Sequence, residues 1–502
     1  MYLHSLKLKN FKGFRGESEE IYFHGPNGDP GSGLNILVGE NNAGKSTLMQ
    51  ALCYLRDSGT VSGNLTTIDA DGAPVSDECA VIGEFADSSA AALCKTLDAF
   101  INGKNTDAVK AALTASGHLR ARRSLWDPKK TLLLRENDGF AEAGTNPTGI
   151  DVALKSIIDL HALWADDDAQ KLASYGANTL CQKLLNDIFK SAQASDDYQK
   201  LKDAFDVCFS GEDSSLRKGI REIEEQVSQQ FRLFFGAGSL RFDFSEPAME
   251  TLVKTLTPML DLDYSLPLAE HGQGVQRLAV LALLVSWASF QANRKDEGSS
   301  KPYIFLLDEP EICLHPRGQA KLLEALLTIS KDFQVFVSTH SPIFLHSPAV
   351  RSANLLLCRK DASSRSNVVI SRKGFGSLLP HSPTWGEICW FAYNMPTIEF
   401  HDELYSLLQE ATGKHAVSAV DQLIRDAFAE MHEACVLYPW TRTDKKGNPQ
   451  EDRTLSYCVR NAIHHPDSPF IKRDFVETHL ESSIKEMLRV VEHVRANRVQ
   501  AH

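Results

Sequence analysis

The chain has 502 residues, of which 43% are hydrophobic and 24% charged, and a formal net charge of −12. This length exceeds what one hydrophobic core supports, so we expect about two to four structural units. No apolar run is long enough for a membrane span, and the N-terminus lacks the apolar core of a signal peptide. The ten cysteines lack metal-ligand spacing, so we expect reduced core thiols in a cytoplasmic protein. The negative charge argues against a uniformly basic nucleic-acid-binding surface but not against a local basic groove.

The first motif along the chain is GENNAGKST, residues 39–47. It follows the apolar run LNILVG and precedes TLMQALCYL, which has apolar residues at helical spacing, so we predict strand, loop and helix. The spacing of Gly39, Gly44, Lys45 and Ser46 fits the P-loop pattern. In such a loop, backbone N–H groups surround phosphate oxygens, the lysine reaches the outer phosphates and the serine hydroxyl binds Mg²⁺. The alternative is a chance glycine-rich turn, which the flanking strand and helix disfavour.

The next part of the chain, from about residue 88 to 238, is mostly helical in pattern and more polar. The run 216–235 combines charges with apolar residues at three-to-four spacing, which predicts a long amphipathic helix. Residues 119–130, LRARRSLWDPKK, are the one dense basic run. Its charges would suit nucleic-acid phosphates and Trp126 would suit base stacking, although a solvated face is the more ordinary interpretation.

The run HGQGVQRLAVLALLVSWASF, residues 271–290, begins with two glycines and continues as a long apolar helix. The N-terminus of such a helix is a natural anion site. In a dimer it would close on the nucleotide that the partner's P-loop holds.

Two later apolar strands end in polar side chains. In KPYIFLLDEPEICLHP, residues 301–316, Asp308 and Glu309 lie at the strand's carboxyl end, where α/β nucleotide sites occur. Asp308 would hold Mg²⁺ through water, and Glu309 would polarise the attacking water as general base. In VFVSTHSP, residues 335–342, His340 would contact or sense the γ-phosphate. The alternatives are a solvated pair of acids and an ordinary loop histidine.

The tail, from Thr397 onward, is helical in pattern and contains TLSYCVRNAIHHPDSP, residues 454–469. Arg460, Asn461 and His465 fit the R-N-x-x-x-H pattern, which resembles that of HEPN ribonucleases. There, histidine and arginine from two copies meet to cleave RNA, as acid–base catalyst and as stabiliser of phosphate charge. The alternative is a helix C-terminus, where histidine suits the helix dipole and proline ends the helix.

Taken together, these motifs resemble those of ATP-binding-cassette ATPases of the RecF, SMC and overcoming-lysogenization-defect (OLD) type, within the wider AAA class. The resemblance covers about residues 1–85 and 240–375. It implies roles for three groups of residues. The P-loop group binds ATP and Mg²⁺ and consists of Gly39, Asn42, Gly44, Lys45, Ser46 and Thr47. The signature loop contains Gly272, Gln273 and Gly274, with a His-Gly-Gln run where the family has serine. The third group is the Walker B pair Asp308 and Glu309, the D-loop Leu314-His315-Pro316, and the switch histidine His340.

The resemblance implies an α/β fold: an ABC-type ATPase head, a mixed sheet flanked by helices, with a helical insertion and a helical C-terminal region. We expect head segments at residues 1–87 and 239–395, a helical, coiled-coil-like arm at 88–238, and a helical domain at 396–502. OLD-type nucleases carry a Toprim domain after the ATPase, whose metal site needs a DxD pair. No DxD pair follows His340, so we expect that this chain lacks Toprim.

The chain also resembles the ATPase subunits of bacterial anti-phage systems such as Septu and PARIS, by analogy with these families. The hypothesis is an ATPase that senses and scaffolds, forms a homodimer through its heads, assembles into higher oligomers from such dimers, and gates a separate effector, a nuclease or toxin. The alternatives are an HEPN-like ribonuclease that uses Arg460 and His465, and a RecF-like DNA repair ATPase with nucleic acid as its partner.

Overall fold

The structure is a computed structural model, and it describes the chain outside a set of short gaps. These gaps are residues 62, 69–72, 76–77, 101–104, 135–149, 168–184, 186–188, 190–191, 194, 210, 236–237, 245–255, 262–263, 294–301, 372–377, 380, 442–449, 466–473 and 501–502. The chain divides into two compact units, with Ala165–Gly298 and Ile312–His315 in the second and the remainder in the first.

The first unit contains an antiparallel sheet of six strands in the order β2-β1-β5-β6-β7, with β3 beside β1. Its strands are β1 (Tyr2–Phe11), β2 (Phe14–Glu17), β3 (Ile21–Tyr22), β5 (Ala80–Ala86), β6 (Leu119–Ser124) and β7 (Thr131–Leu134). The strand β1 alternates buried and half-buried residues, as expected for a sheet with one face in the core.

A second sheet of six strands has the order β14-β13-β4-β12-β11-β8. Its strands are β4 (Leu34–Val38), β8 (Asp159–Leu163), β11 (Tyr303–Asp308), β12 (Gln334–Ser338), β13 (Asn354–Lys360) and β14 (Asn367–Ser371). All neighbours pair in parallel except β13 and β14, which are antiparallel. Every residue of β4 and β12 is buried, as is typical of central parallel strands. The carboxyl ends of β4, β11 and β12 therefore meet at one edge of the sheet.

The main core of this unit lies around the helix α1 (Lys45–Arg56). Most residues of α1 are buried, including Leu48, Leu52 and Leu55, and its core cluster includes residues of both sheets. A helix that is buried on nearly all sides is what an interior position between two layers requires. This packing places the first turn of α1, which follows the P-loop, at the edge of the parallel sheet.

The remaining helices of the first unit complete the head and form the C-terminal region. They are α2 (Ala90–Phe100), α3 (Asn105–Ala111), α4 (Ile150–Ile157), α8 (Pro316–Ile329), α9 (Pro342–His346), α10 (Trp385–Tyr393), α11 (Ile398–Thr412), α12 (Val417–Glu430), α13 (Leu455–His464) and α14 (Asp474–Gln500). A short hairpin, β15 (Leu437–Thr441) and β16 (Gln450–Thr454), precedes α13. The helices α11, α12 and α14 share an apolar core that contains Phe400, Leu404 and Ile484.

The second unit contains the helices α5 (Asp196–Phe209), α6 (Ser215–Phe235) and α7 (Gln273–Asn293), and the hairpin β9 (Met259–Asp261) and β10 (Ser265–Pro267). The predicted long helix is confirmed as α6, but its buried side is polar. Arg217 and Glu224 form a buried ion pair at 3.1 Å and both bond the backbone of Phe242, whereas Ile223 is exposed.

The predicted domain boundaries differ from the two units. The strands β6, β7 and β8 lie inside the range 88–238, which we expected to be a helical insertion, yet they pair with strands of the head. The second unit starts instead at Ala165 and extends to Gly298, so it includes part of the expected second head segment. The C-terminal helices belong to the first unit and form no separate unit. Part of the range 88–238 lies outside the described residues.

The first half of the basic run, residues 119–124, is the strand β6, and its arginines form neither a solvated face nor a free basic groove, whereas Trp126, Lys129 and Lys130 beyond the strand are exposed. Its residues alternate along β6, and Arg123 points into the core, where it is 2% exposed and donates to the carbonyls of Leu55 and Pro128. On the other face, Arg122 binds Glu78 at 2.8 Å. The period of a strand therefore separates charges that look contiguous in the sequence.

The described cysteines form no disulfide, and most of them are buried, for example Cys53 and Cys358. Cys208 and Cys313 are exposed, so the expectation of core thiols is wrong for these two. Among the helices that the structure describes, none has both the length and the apolar character to cross a membrane.

Candidate active site

The P-loop connects β4 to α1, as predicted, and two of its glycines occupy positions that a residue with a side chain could not take without strain. Gly39 has φ +148° and lies against the backbone of β13, where an added Cβ would meet the Cys358 carbonyl oxygen at 1.9 Å. Gly44 has φ +101°, and its Cβ would meet the Asn367 amide nitrogen at 2.8 Å. Asn42 also has a positive φ, of 63°, and is exposed. The loop therefore has the tight, glycine-dependent turn that a phosphate cradle needs.

Lys45 is the first residue of α1, and its side chain extends back across the loop. Its Nζ donates to the carbonyl oxygens of Gly39 at 2.8 Å and Glu40 at 3.0 Å, and lies 2.9 Å from His340 Nε2. An ammonium group can only donate, so this His340 nitrogen is the accepting one. Burial and the nearby Lys45 charge lower the pKa of His340, and burial lowers the pKa of Lys45. The predicted lysine and switch histidine are therefore in direct contact.

Ser46 and Asp308 form the second contact between the P-loop and the strand ends. Ser46 Oγ donates to the two carboxylate oxygens of Asp308 at 3.1 and 2.9 Å, and Ser338 Oγ also donates to Asp308. Thr47 follows in the first turn of α1 and is half-buried. A serine hydroxyl beside a carboxylate is the hard oxygen set that Mg²⁺ prefers, so these residues fit the predicted ion.

Glu309, the predicted general base, has an unusual backbone. Its φ is +46°, a left-handed conformation that side chains other than glycine rarely adopt, and its N–H donates to both the carbonyl and hydroxyl oxygens of Ser338. Its carboxylate is partly exposed and lies 3.7 Å from His340 Nε2. Strain of this kind persists where surrounding bonds impose it, and it is concentrated at functional sites.

The signature loop lies in the second unit, at the start of α7. The helix begins at Gln273 as predicted, and Gly272 accepts bonds from the N–H groups of Val275 and Gln276. A Cβ at Gly272 would meet no atom within 4 Å, whereas one at Gly274 would lie 2.4 Å from the Cys313 carbonyl oxygen. The signature loop therefore packs against the segment that leads to the predicted D-loop residues Leu314 and His315, and its first glycine is open.

The tail motif has mostly internal contacts. The Arg460 guanidinium lies 5.9 Å from the ring centre of Tyr405, and the Asn461 amide donates to the carbonyl of Tyr457 in its own helix at 2.8 Å. His465 is exposed at the end of α13, and no described contact brings it to Arg460. These contacts favour the alternative of a helix terminus. The neighbouring His464, which the motif does not include, lies 3.2 Å from Asp402.

Sequence reasoning missed three residues of this site: Ser338, Glu311 and Tyr393. Glu311 Oε1 accepts bonds from the Thr339 hydroxyl at 2.6 Å and the His340 N–H at 2.9 Å. The Glu311 side chain is buried, which raises its pKa. Ser338 and Glu311 lie within the quoted motifs, so their polar side chains at buried strand ends were an available signal. Tyr393 offered none.

The chain is similar in part to several known proteins. Solved structures similar in part are an SMC head domain of Pyrococcus furiosus bound to part of ScpA and the SMC head domain of Thermotoga maritima. The first is 16% identical, with 74% of this chain and 96% of that chain covered at a TM-score of 0.41. The second is 15% identical, with 74% and 99% covered at a TM-score of 0.33.

Among curated proteins, the Old nuclease of Escherichia phage P2 is 26% identical over 350 residues, which are 68% of this chain and 57% of the nuclease. The chain thus spans little more than half the length of that relative. Residues 5–113 match a family described as AAA domain, and residues 84–345, more than half of the chain, match one described as AAA ATPase domain. The chain therefore belongs to the AAA ATPase domain family and is an ATPase.

Proposed function

We propose that the chain is the ATP-binding and ATP-hydrolysing subunit of an anti-phage defence complex, and that it gates a separate effector through ATP-dependent pairing of its heads. The observation that carries this proposal is the cluster of Lys45, Ser46, Asp308, Glu309 and His340 at one edge of the parallel sheet. Lys45 and Glu309 each lie beside His340, and a lysine for the phosphates, oxygen ligands for Mg²⁺ and a base for the attacking water are groups that phosphoryl transfer uses.

Each side chain has a separate task in this proposal. Lys45 would leave the carbonyls of its own loop to neutralise the outer phosphates, and the backbone N–H groups of the loop would bind their oxygens. Ser46 and Asp308 would hold Mg²⁺, which supplies charge neutralisation between the phosphates when bound. Glu309 would accept a proton from the attacking water, and His340 would donate through its other nitrogen or report the γ-phosphate.

The role in assembly is supported by the open Gly272 at the N-terminus of α7. Among the described residues, none has an atom within 4 Å of a Cβ added at this glycine, and a helix N-terminus attracts phosphate. In the proposed dimer, this terminus would bind the nucleotide held by the other head. The similarity of this chain to a protein that is named a nuclease supports a nuclease as the effector.

Glu309→Gln tests the proposal, because it removes the base and leaves the binding residues in place. We expect this variant to bind ATP, to hydrolyse it at least about a hundredfold more slowly, and to accumulate as a dimer in light scattering with ATP. Lys45→Ala should bind ATP more weakly and accumulate fewer dimers under the same conditions. Wild-type turnover by Glu309→Gln would contradict the assignment of the base, and an unchanged mass with ATP would contradict dimer gating.

A further inference from the structure

The peptide that carries the switch histidine is held from two sides. From within the ATPase core, Glu311 binds the Thr339 hydroxyl and the His340 N–H. From the C-terminal helices, the Tyr393 hydroxyl donates to the Thr339 carbonyl oxygen at 3.4 Å, and its ring centre lies 5.6 Å from that of His340. The hydrogen bond between Tyr393 and Thr339 joins parts of the chain that are 54 residues apart.

Tyr393 is well placed to hold this peptide because its own helix is firmly anchored. It is the last residue of α10, whose first turn has a capping box between Thr384 and Glu387. Glu387 is fully buried and also accepts a bond from the Ser382 hydroxyl. Burial raises the pKa of the Tyr393 phenol, so that its hydroxyl stays a donor at every physiological pH.

We propose that Tyr393 is a positioning residue that holds the peptide of the switch histidine and thereby couples the C-terminal helices to the state of the nucleotide site. This inference rests on the proposed role of His340 in ATP turnover. A shift of the 339–340 peptide on ATP binding would break or strengthen the Tyr393 contact and so change the packing of α10. If ATP binding changes the affinity of α10 for a ligand or partner by some factor, that ligand or partner must change the affinity for ATP by the same factor.

The route continues beyond Tyr393 to the surface. The ring centre of Trp385, at the other end of α10, lies 6.3 Å from that of Tyr393. Trp385 also lines a cavity of about 630 Å³ together with Leu345 of α9, Arg351 and Asp402 of α11. The helix α9 begins two residues after His340, with Ser341 as its N-cap. The walls of this cavity therefore include the element that directly follows the switch histidine.

The test is Tyr393→Phe, with Tyr405→Phe as its matched control. Both phenols donate one hydrogen bond to a backbone carbonyl, and Tyr405 reaches Val417 at 3.0 Å within the C-terminal helices only. We expect Tyr393→Phe to lower kcat for ATP by about threefold to tenfold with KM unchanged, because a bond that orients the switch is lost and no binding group is touched. Tyr405→Phe should keep the wild-type kcat, and thermal melting compares the fold of both variants.

A second readout is hydrogen exchange of residues 385–393 with and without ATP. Wild type and Tyr405→Phe should show an ATP-dependent change in protection of this helix, and Tyr393→Phe should show less. A Tyr393→Phe protein with the kcat and exchange response of the control overturns the inference. The variant His340→Gln distinguishes the two proposals. If it turns over ATP like wild type, the proposed role of His340 in turnover fails, whereas a slow His340→Gln together with a normal Tyr393→Phe refutes only the coupling.

Discussion

The proposed sharing of each nucleotide site between two chains can be tested by mixing two inactive variants. Lys45→Ala removes the charge that the P-loop offers to the phosphates. Gly272→Glu places a carboxylate at the N-terminus of α7, where the structure leaves space for a side chain in its own unit. In the proposed dimer, each site combines the P-loop of one chain with the Gly272 loop of the other. Either variant alone therefore damages both sites of its homodimer.

The expected magnitude follows from counting sites. Lys45→Ala should lower turnover about a hundredfold, the usual cost of removing a group that stabilises transition-state charge. Gly272→Glu should lower turnover at least about tenfold, because its carboxylate would face the phosphates in a site closed to water. In an equal mixture, half of the dimers combine one chain of each kind, and each has one intact site out of two. Turnover should therefore recover to about a quarter of the wild-type value.

The assay is steady-state phosphate release by each variant alone and by mixtures at constant total protein. Gly219→Glu is the matched control: this glycine lies in the same unit, on α6, and a Cβ there also meets no atom within 4 Å. Gly219→Glu should keep full activity. This result would show that a negative charge inhibits turnover only when it lies at the nucleotide, and not wherever it is added to the unit. Turnover of the mixture equal to the mean of the two variants would refute the shared site, and so would a fully active Gly272→Glu.

The remaining predictions concern pH and stability. The pKa of His340 lies below its ordinary value of 6.5, so the unfolded chain takes up this proton first as the pH falls. The stability that the neutral His340 contributes is present above pH 6.5 and is lost as the pH falls through that value toward the folded pKa. The urea midpoint of His340→Gln should therefore fall less between pH 7.5 and pH 5.5 than the urea midpoint of wild type. Arg123→Met should lower the free energy of unfolding by about 2–4 kcal/mol, because buried carbonyls lose their donor, while Lys129→Met at an exposed position should change it by less than about 0.5 kcal/mol. Equal urea midpoints for these two variants would contradict the structural interpretation of β6.

The central site was accessible to sequence reasoning because its residues lie at fixed positions relative to strands. Asp308 and His340 each follow an apolar run, and parallel strands bring such ends to one edge. The P-loop adds its own spacing, and its glycines are required by contacts that any residue with Cβ would break. The predicted order of strand, loop and helix is therefore confirmed.

The basic run and the insertion boundary show where such reasoning fails. Charge density along the chain does not distinguish a helix face from a strand that places alternate residues on opposite faces. Arg120, Arg122 and Arg123 look like one patch, yet the first two face carboxylates and the third is buried. The strands β6, β7 and β8 were missed for a related reason, since they are four to six residues long and lie between helical patterns.

The contact between Tyr393 and the switch peptide could not be predicted because neither local pattern nor motif spacing reports which helix packs behind a strand end. Yet in our proposal this contact transmits the state of the nucleotide site to the C-terminal helices. Lys45 and Ser46, which we propose to bind the nucleotide, begin a helix most of whose residues are buried in the core. His340 instead belongs to a short loop, and the helix that follows it borders the C-terminal region. We therefore expect a change at the phosphates to reach the C-terminal helices through the switch peptide and α10.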